Sequence, residues 1–355
     1  MTVSAAPLAR PDIAGVLGTR FPLIQAPLAG AQMAKLAVAV TQAGALGSLP
    51  AALLPPEALQ RELEILRAGT QGLFNINFFA HVPPLPDPAR ESRWRERLAP
   101  YFSEFGVDAS SITSGVGRQP FNHEVADLVE PFKPRVVSFH FGLPAPDLLA
   151  RVKSWGSRIL SSATTVEEAV WLEAHGVDAV IAQGWEAGGH RGHFLSHDLT
   201  RQAGTMALLP QVVRAVRIPV IATGGIVDAA SIRAAMTLGA SAVQVGTAFL
   251  LCDEAITSAP HRQLLRHPEG LHTAVTNLMT GRPARGLVNR LMREVGPIND
   301  LAPAFPLAGN ALAPLRAKAE AQGSGDFSPL WAGQHFSGLK EVSAAALVAE
   351  LCQAF

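Results

Sequence analysis

The string AQGWEAGGHRGHF, residues 182–194, sets Glu186, His190, Arg191 and His193 among Gly184, Gly188, Gly189 and Gly192, directly after the apolar run GVDAVI. A histidine near its ordinary pKa of ~6.5 takes up or lends a proton at neutral pH. Flanking glycines let such a loop fold tightly enough to bring His190 over a ligand, which makes it the candidate general base. Glu186 and Arg191 suit a solvated ion pair at the loop base, or, for Arg191, a charge that attracts an anionic substrate. His193 and His197 lack partner carboxylates at metal-ligand spacing; they read as surface residues, and no metal site is expected. His140, in SFHFG, is a secondary candidate. The chain holds no G-x-S-x-G elbow and no Walker loop, which argues against serine hydrolases and nucleoside triphosphatases.

Two more stretches carry chemistry. IATGG ends an apolar run with Gly224 and Gly225, and VQVGT ends the next with Gln244, Gly246 and Thr247. Glycine lets backbone N–H groups approach an anion closely, so a phosphate-bearing ligand is expected there. Gln25, Asn75, Asn77 and Gln183 recur at the ends of other apolar runs. An amide both donates and accepts, which suits a heterocycle edge such as the flavin pyrimidine.

The elements that must position these residues are short continuous apolar runs, the mark of parallel strands buried on both faces. Strands are expected near residues 21–27, 45–49, 72–79, 135–141, 157–162, 178–183, 219–223 and 242–246. Helical patterns lie between several of them. In TTVEEAVWLEAHG, Thr164 and Glu167 fit a capping box and Gly176 a stop; in VDAASIRAAMTLG, Asp228 is the N-cap and Gly239 the stop. Repeated strand–helix units predict right-handed crossovers, and their number favours a TIM (β/α)8 barrel over an open sheet, with the active site where the βα loops gather. The cadence stops after QVGTAFLLCDEA. Residues 1–252 plus 335–355 therefore read as the barrel and 253–334 as a smaller inserted cap domain. A final helix from about Glu341, with Val342, Ala345, Ala346 and Ala349 on one stripe, is expected to return to the barrel wall.

Composition bounds the partners. Lys+Arg and Asp+Glu balance at 29 each in 355 residues, so no basic field for nucleic acid is evident. The two cysteines, Cys252 and Cys352, form no disulfide framework. The start MTVSAAPLARPDIAGVLG lacks an apolar core behind a basic segment, and no run is long enough to span a bilayer; a soluble, cytoplasmic protein is the expectation.

These stretches, together with PLIQAPLAG, FNINFF, VVSFHFGLP, TGRPARGLVNRLMRE and LWAGQ, resemble the nitronate monooxygenase family, once called 2-nitropropane dioxygenases, and specifically its class I members. The resemblance runs in order through nearly the whole chain. It implies an FMN-binding TIM barrel in which His190 is catalytic. It also implies FMN contacts from Ala26, Pro27, Leu28, Asn77, Gln183, Gly188, Gly189, Gly225, Gln244, Gly246 and Thr247. The implied reaction is oxidative denitrification of an alkyl nitronate, such as propionate 3-nitronate, with dioxygen to a carbonyl compound and nitrite. His190 would take the α-proton of a neutral nitroalkane; in protonated form it would hold the nitro oxygens of a preformed nitronate. Arg282, Arg285 and Arg191 would supply positive charge around the anion. One departure stands out: class I members line the substrate pocket with several tyrosines, whereas this chain has only Tyr101 and carries Phe305 in AFPL. The alternatives are a nicotinamide-dependent flavin quinone reductase or enoyl-thioester reductase and, from another class, a non-redox barrel that binds a sugar phosphate.

Overall fold

The computed structural model describes residues 13–112 and 117–355. Its strands in chain order are β1 (Leu23–Gln25), β2 (Ser48–Pro50), β3 (Asn75–Phe79), β4 (Val136–His140), β5 (Arg158–Ala163), β6 (Ala179–Gln183), β7 (Gly189–His190), β8 (Val220–Thr223), β9 (Ala242–Val245), β10 (Thr273–Thr276) and β11 (Ala284–Leu287). Eight of them form one parallel sheet in the order β1-β9-β8-β6-β5-β4-β3-β2. A parallel bridge between Ile24 and Leu46 brings its two edges together, with Gln25 N donating to Leu46 O at 2.9 Å and Leu46 N to Leu23 O at 2.9 Å. The sheet is thus a TIM barrel, and closure removes the edges an open sheet would expose.

The strands are buried almost throughout because helices cover their outer faces while side chains fill the interior. Ile24, Leu46, Val136, Leu160, Ile181 and Ile221 form one interior cluster, and a larger one joins the strands to the surrounding helices. Their continuous hydrophobicity follows from burial on both sides.

Three local expectations need correction. The second strand begins at Ser48 rather than at residue 45, because Ala45 and Leu46 are spent on closing the barrel against β1. The helix after β5 spans Val166–Ala174 and is capped by Thr165, not Thr164; Thr165 Oγ1 accepts from Glu168 N at 3.2 Å. The Glu168 carboxylate is buried, accepting from Thr164 N and Oγ1 on one oxygen and from Phe194 and Leu195 N on the other. The last helix spans Ala344–Leu351 and buries Ala344, Leu347, Val348 and Leu351, while Ala345, Ala346 and Ala349 face solvent. Ser343 caps it two residues later than expected, and the larger apolar side chains take the wall. Asp228 caps the helix Ala229–Thr237 as expected, with Ser231 completing the box.

Beyond the barrel, β10, β11 and β7 form a small antiparallel sheet. A separate apolar cluster joins Leu278, Met279, Leu291, Met292, Leu312 and Leu315 to Trp94, Leu98, Tyr101 and Phe102. The latter four lie on the helix Pro88–Phe105, inside the long β3–β4 connection, which Asp87 caps by accepting from Arg90 N at 2.9 Å. Among the described residues no helix is long and apolar enough to cross a membrane.

Candidate active site

At the C-terminal ends of the barrel strands lies a cavity of about 330 Å3. His190 lines it, on a two-residue strand rather than a free loop: β7 pairs with β11, His190 opposite Ala284 and Gly189 opposite Arg285. The barrel holds the same residue from below. His190 O accepts from Gln183 Nε2 at 2.9 Å and from His140 Nε2 at 3.0 Å, while Gln183 Oε1 accepts from Gly192 N at 2.8 Å. Because a carbonyl only accepts, His140 carries its proton on Nε2, and its Nδ1 accepts from Ser162 Oγ at 3.0 Å.

The His190 ring sits among Phe79, Phe141, Phe305 and Trp331, with ring centroids 5.4–5.9 Å away. Its Nε2 shares a hydrogen bond of 2.9 Å with Thr280 Oγ1, and Nδ1 has no partner among the described residues. Burial first, then the fields of His140, Arg118, Arg282 and His81, hold the imidazole well below its usual pKa. The ring is neutral at physiological pH, so it is equipped to accept a proton. Holding an anion by protonation, as considered from sequence, is disfavoured. Burial likewise lowers His140 and His81 to about 4.

Arg191 does not face the cavity. It is 0% exposed and donates to Gln202 Oε1 at 2.8 Å, Gly184 O at 2.8 Å and Gln183 O at 3.0 Å. Burial lowers it to about 9. Arg191 is a clamp for the turn that carries His190, neither a substrate anchor nor half of a solvated pair. Glu186 turns instead to Thr205, accepting from its N and Oγ1 at 2.8 Å each. Arg285 donates to Trp185 O at 3.0 Å, and both Arg191 and Arg285 stack on the Trp185 ring. Arg282 lies 4.0 Å over the Phe141 ring and donates to His193 O. The positive charge expected of these three arginines is therefore spent on fastening β11 and its approach to the barrel loop. His193, expected at the surface, is 2% exposed and pushed down by burial to about 3, whereas His197 is exposed.

The amides divide. Gln25 and Asn75 are buried and do not line the cavity: Gln25 Oε1 accepts from Ser48 N and its Nε2 donates to Gln32 and Ala26 O, while Asn75 Nδ2 donates to Ser48 Oγ. They tie β1 and β3 to β2 and leave the ring of amides expected at the mouth incomplete. Asn77, Gln183 and Gln244 do line the cavity. So do Ala26, Pro27, Leu28, Gly188, Gly189, Gly225, Gly246 and Thr247.

The lining fits a flavin mononucleotide on several counts. Gln244 Oε1 is buried without a partner, an acceptor waiting for an N–H or O–H. Gly224 and Gly225 adopt φ of +115° and +70°, open to glycine at no steric cost. A Cβ on Gly188 would come within 2.6 Å of the Ala332 carbonyl carbon and of Gly333 N, so only glycine lets this backbone pass. Gly333 N donates to Thr247 Oγ1 at 2.9 Å, and His335 Nδ1 to Gly225 O at 3.1 Å. His335 thus lines the glycine-rich end of the cavity, a position without a local sequence signal. Phe79, Phe141, Thr280 and Trp331 carry no local signal for the site either, because only the fold brings them to His190. Among the described residues, no three His, Cys, Asp or Glu side chains cluster as a metal site.

A sequence model of the nitronate monooxygenase family matches residues 10–354. The chain belongs to that family. A nitronate monooxygenase of Pseudomonas aeruginosa is 40% identical over 340 residues, covering 95% of this chain and 97% of its own. Another from Paraburkholderia phytofirmans is 40% identical, covering 95% and 92%. The solved nitroalkane oxidase of Streptomyces ansochromogenes superposes with a TM-score of 0.87 at 38% identity, over 97% of this chain and 99% of that one. FabK from Thermotoga maritima shares the fold at a TM-score of 0.73 and 24% identity, covering 98% of this chain and 96% of its own. As a family member, this nitronate monooxygenase homologue departs from the several tyrosines expected in the pocket: Tyr101 lies away from it, packed on Phe327, and Phe305 stands 5.4 Å from His190.

Proposed function

We propose that the chain is an FMN-dependent nitronate monooxygenase that converts alkyl nitronates and dioxygen to carbonyl compounds and nitrite. The observation that carries the reading is His190: a neutral imidazole with a free Nδ1, pinned by two sheets at the mouth of a glycine-lined barrel. FMN supplies one-electron exchange with nitronate and oxygen when bound. Gly225, Gly246 and Thr247 would take its phosphate end, Asn77, Gln183 and Gln244 its polar ring edge, and Ala26, Pro27, Leu28, Gly188 and Gly189 its flanks. Residues 253–334 serve as the cap that closes over the substrate.

The protein's own steps follow from geometry. Phe79, Phe141, Phe305 and Trp331 exclude water around the reacting carbon. His190 Nδ1 removes the α-proton of a neutral nitroalkane, and Thr280 Oγ1 on Nε2 fixes the ring plane as the proton arrives. A substrate supplied as the nitronate has already lost that proton and needs only positioning. The protein should purify with about one FMN per chain, and ethylnitronate should consume oxygen and release nitrite. A colourless protein that cannot be reconstituted with FMN overturns the reading; rapid oxidation of NADH or NADPH with no response to nitronates transfers the chain to the reductases.

A further inference from the structure

The cavity continues past His190 along the cap helix Ala308–Ala321, which turns Gly309, Leu312, Ala313 and Arg316 towards it. Their i, i+3, i+4, i+7 spacing is one face of a helix. Gly309 marks the catalytic end: a Cβ there would lie 3.0 Å from Met279 O, beside the Thr280 that holds His190. Arg316 lies two turns on, ~10 Å at about 1.5 Å per residue. Gly309 and Ala313 are small, so the wall between the two ends stays open.

The distal end is polar, and one of its buried atoms lacks a partner. His261 is 5% exposed, lines the cavity, and its Nε2 has no hydrogen-bond partner. Arg316 spends Nε on Glu320 Oε1 at 2.8 Å, an oxygen that also accepts from Ser328 Oγ at 2.7 Å. The Arg316 side chain is 41% exposed where the cavity opens to solvent, and its two terminal nitrogens have no protein partner among the described residues, which leaves them free for a ligand. Ser258 and Ser328 line the same lobe, and the Ser258 side chain makes no cap for the helix it precedes. Arg118 also lines the cavity and repels Arg316. Basic groups thus converge on open space, with Glu320 the one carboxylate paired to them among the described residues. Burial, then Arg316, holds His261 at about 4, so at neutral pH it is uncharged, and in the tautomer protonated at Nε2 it offers that N–H to a ligand. One guanidinium end and one neutral donor match a monoanion with two oxygens better than a phosphate dianion.

We infer that this lobe is a subsite for a carboxylate at the far end of an elongated nitronate substrate, bound by the terminal nitrogens of Arg316 and by His261 Nε2. The inference rests on the nitronate reading for the other end of the cavity. A span of ~10 Å corresponds to roughly eight bonds of extended chain. The probes are therefore the nitronate of 8-nitrooctanoate and that of its methyl ester, with octanoate and 1-octanol as unreactive counterparts. In the wild-type protein the acid should exceed the ester in kcat/KM by about 10–100-fold, the value of a charge-assisted hydrogen-bond pair, and octanoate should bind more tightly than octanol by a similar factor in calorimetry. Arg316→Gln should bring both ratios close to one, and Ala313→Leu, which fills the lobe without touching a charge, should weaken octanoate. Equal binding of octanoate and octanol, or an acid preference that survives Arg316→Gln, overturns the subsite. So does an Arg316→Gln protein that loses affinity for NADPH alone, since the lobe would then serve a dinucleotide. If no nitronate yields nitrite, the functional reading fails by itself, and the octanoate calorimetry still decides the subsite.

Discussion

His190 is held by its backbone as well as through its ring, so the pairing that places it survives a change of side chain. His190→Asn should keep bound flavin and lose ~10²–10⁴-fold in turnover of neutral nitroalkanes, the usual contribution of a positioned base. Preformed nitronates, which need no base, should fall less, and steady-state assays on nitroethane and ethylnitronate measure the difference. The pH dependence has a definite sign. Protonation removes the base, and burial places that protonation well below 6.5. The acid limb of kcat/KM for a neutral nitroalkane should therefore lie below pH 6.5, and a limb at or above that pH would mean that another group limits the reaction.

At the scale of elements, the loop after β6 works because it is tied on both sides. Arg191 and Gln183 fasten it to the barrel, and β11 pairs with it on the other side. Arg191→Met would leave Gln183 O, Gly184 O and Gln202 Oε1 without their buried donor, at a cost of about 2–4 kcal/mol seen by chemical denaturation. Unlike His190→Asn, it should reduce turnover of nitroalkane and nitronate alike, since it displaces the whole site. Gly188→Ala is a second test of the same arrangement. Its Cβ would collide with Ala332 and Gly333 backbone, which cannot rotate away. The two backbone segments must separate locally, and flavin occupancy measured by absorbance should drop.

The whole molecule carries an acid liability. His81, His140, His193 and His261 are all held at about 3 to 4 by burial, and His190 is depressed too. Each stays neutral in the folded state while its unfolded counterpart titrates near ~6.5. Stability is therefore full above pH 6.5 and falls as the pH drops from there towards the folded values. Each histidine adds up to ~1.4 kcal/mol per pH unit to that slope. The thermal midpoint should be flat between pH 7 and 8 and fall steeply below pH 6; a midpoint unchanged down to pH 5 would mean that these rings are solvated.

Local chemistry made much of this legible in the sequence. Doubly buried strands have to be continuously apolar, and glycines at their ends have to be glycine where φ is positive or backbone passes close, so the barrel and its glycine-rich mouth could be read directly. Asp228 could be read as a cap because capping depends on neighbours three residues away. Direction and partnership could not. Arg191 and His193 look like loop polars in the string, yet they are buried, in a loop to which β11 and the residues just before it dock from almost a hundred residues downstream. Gln25 and Asn75 share the pattern of Asn77, but Asn75 lies two residues earlier on the same strand and Gln25 is spent on Gln32 and Ser48. Along the final helix, alanines could mark either face, and only packing against the barrel chose Leu347 and Val348. The polar lobe at Arg316 and His261 has no sequence signal at all. Its residues come from separate helices, Ala259–Arg266 and Ala308–Ala321, and they meet only because both helices line the same cavity.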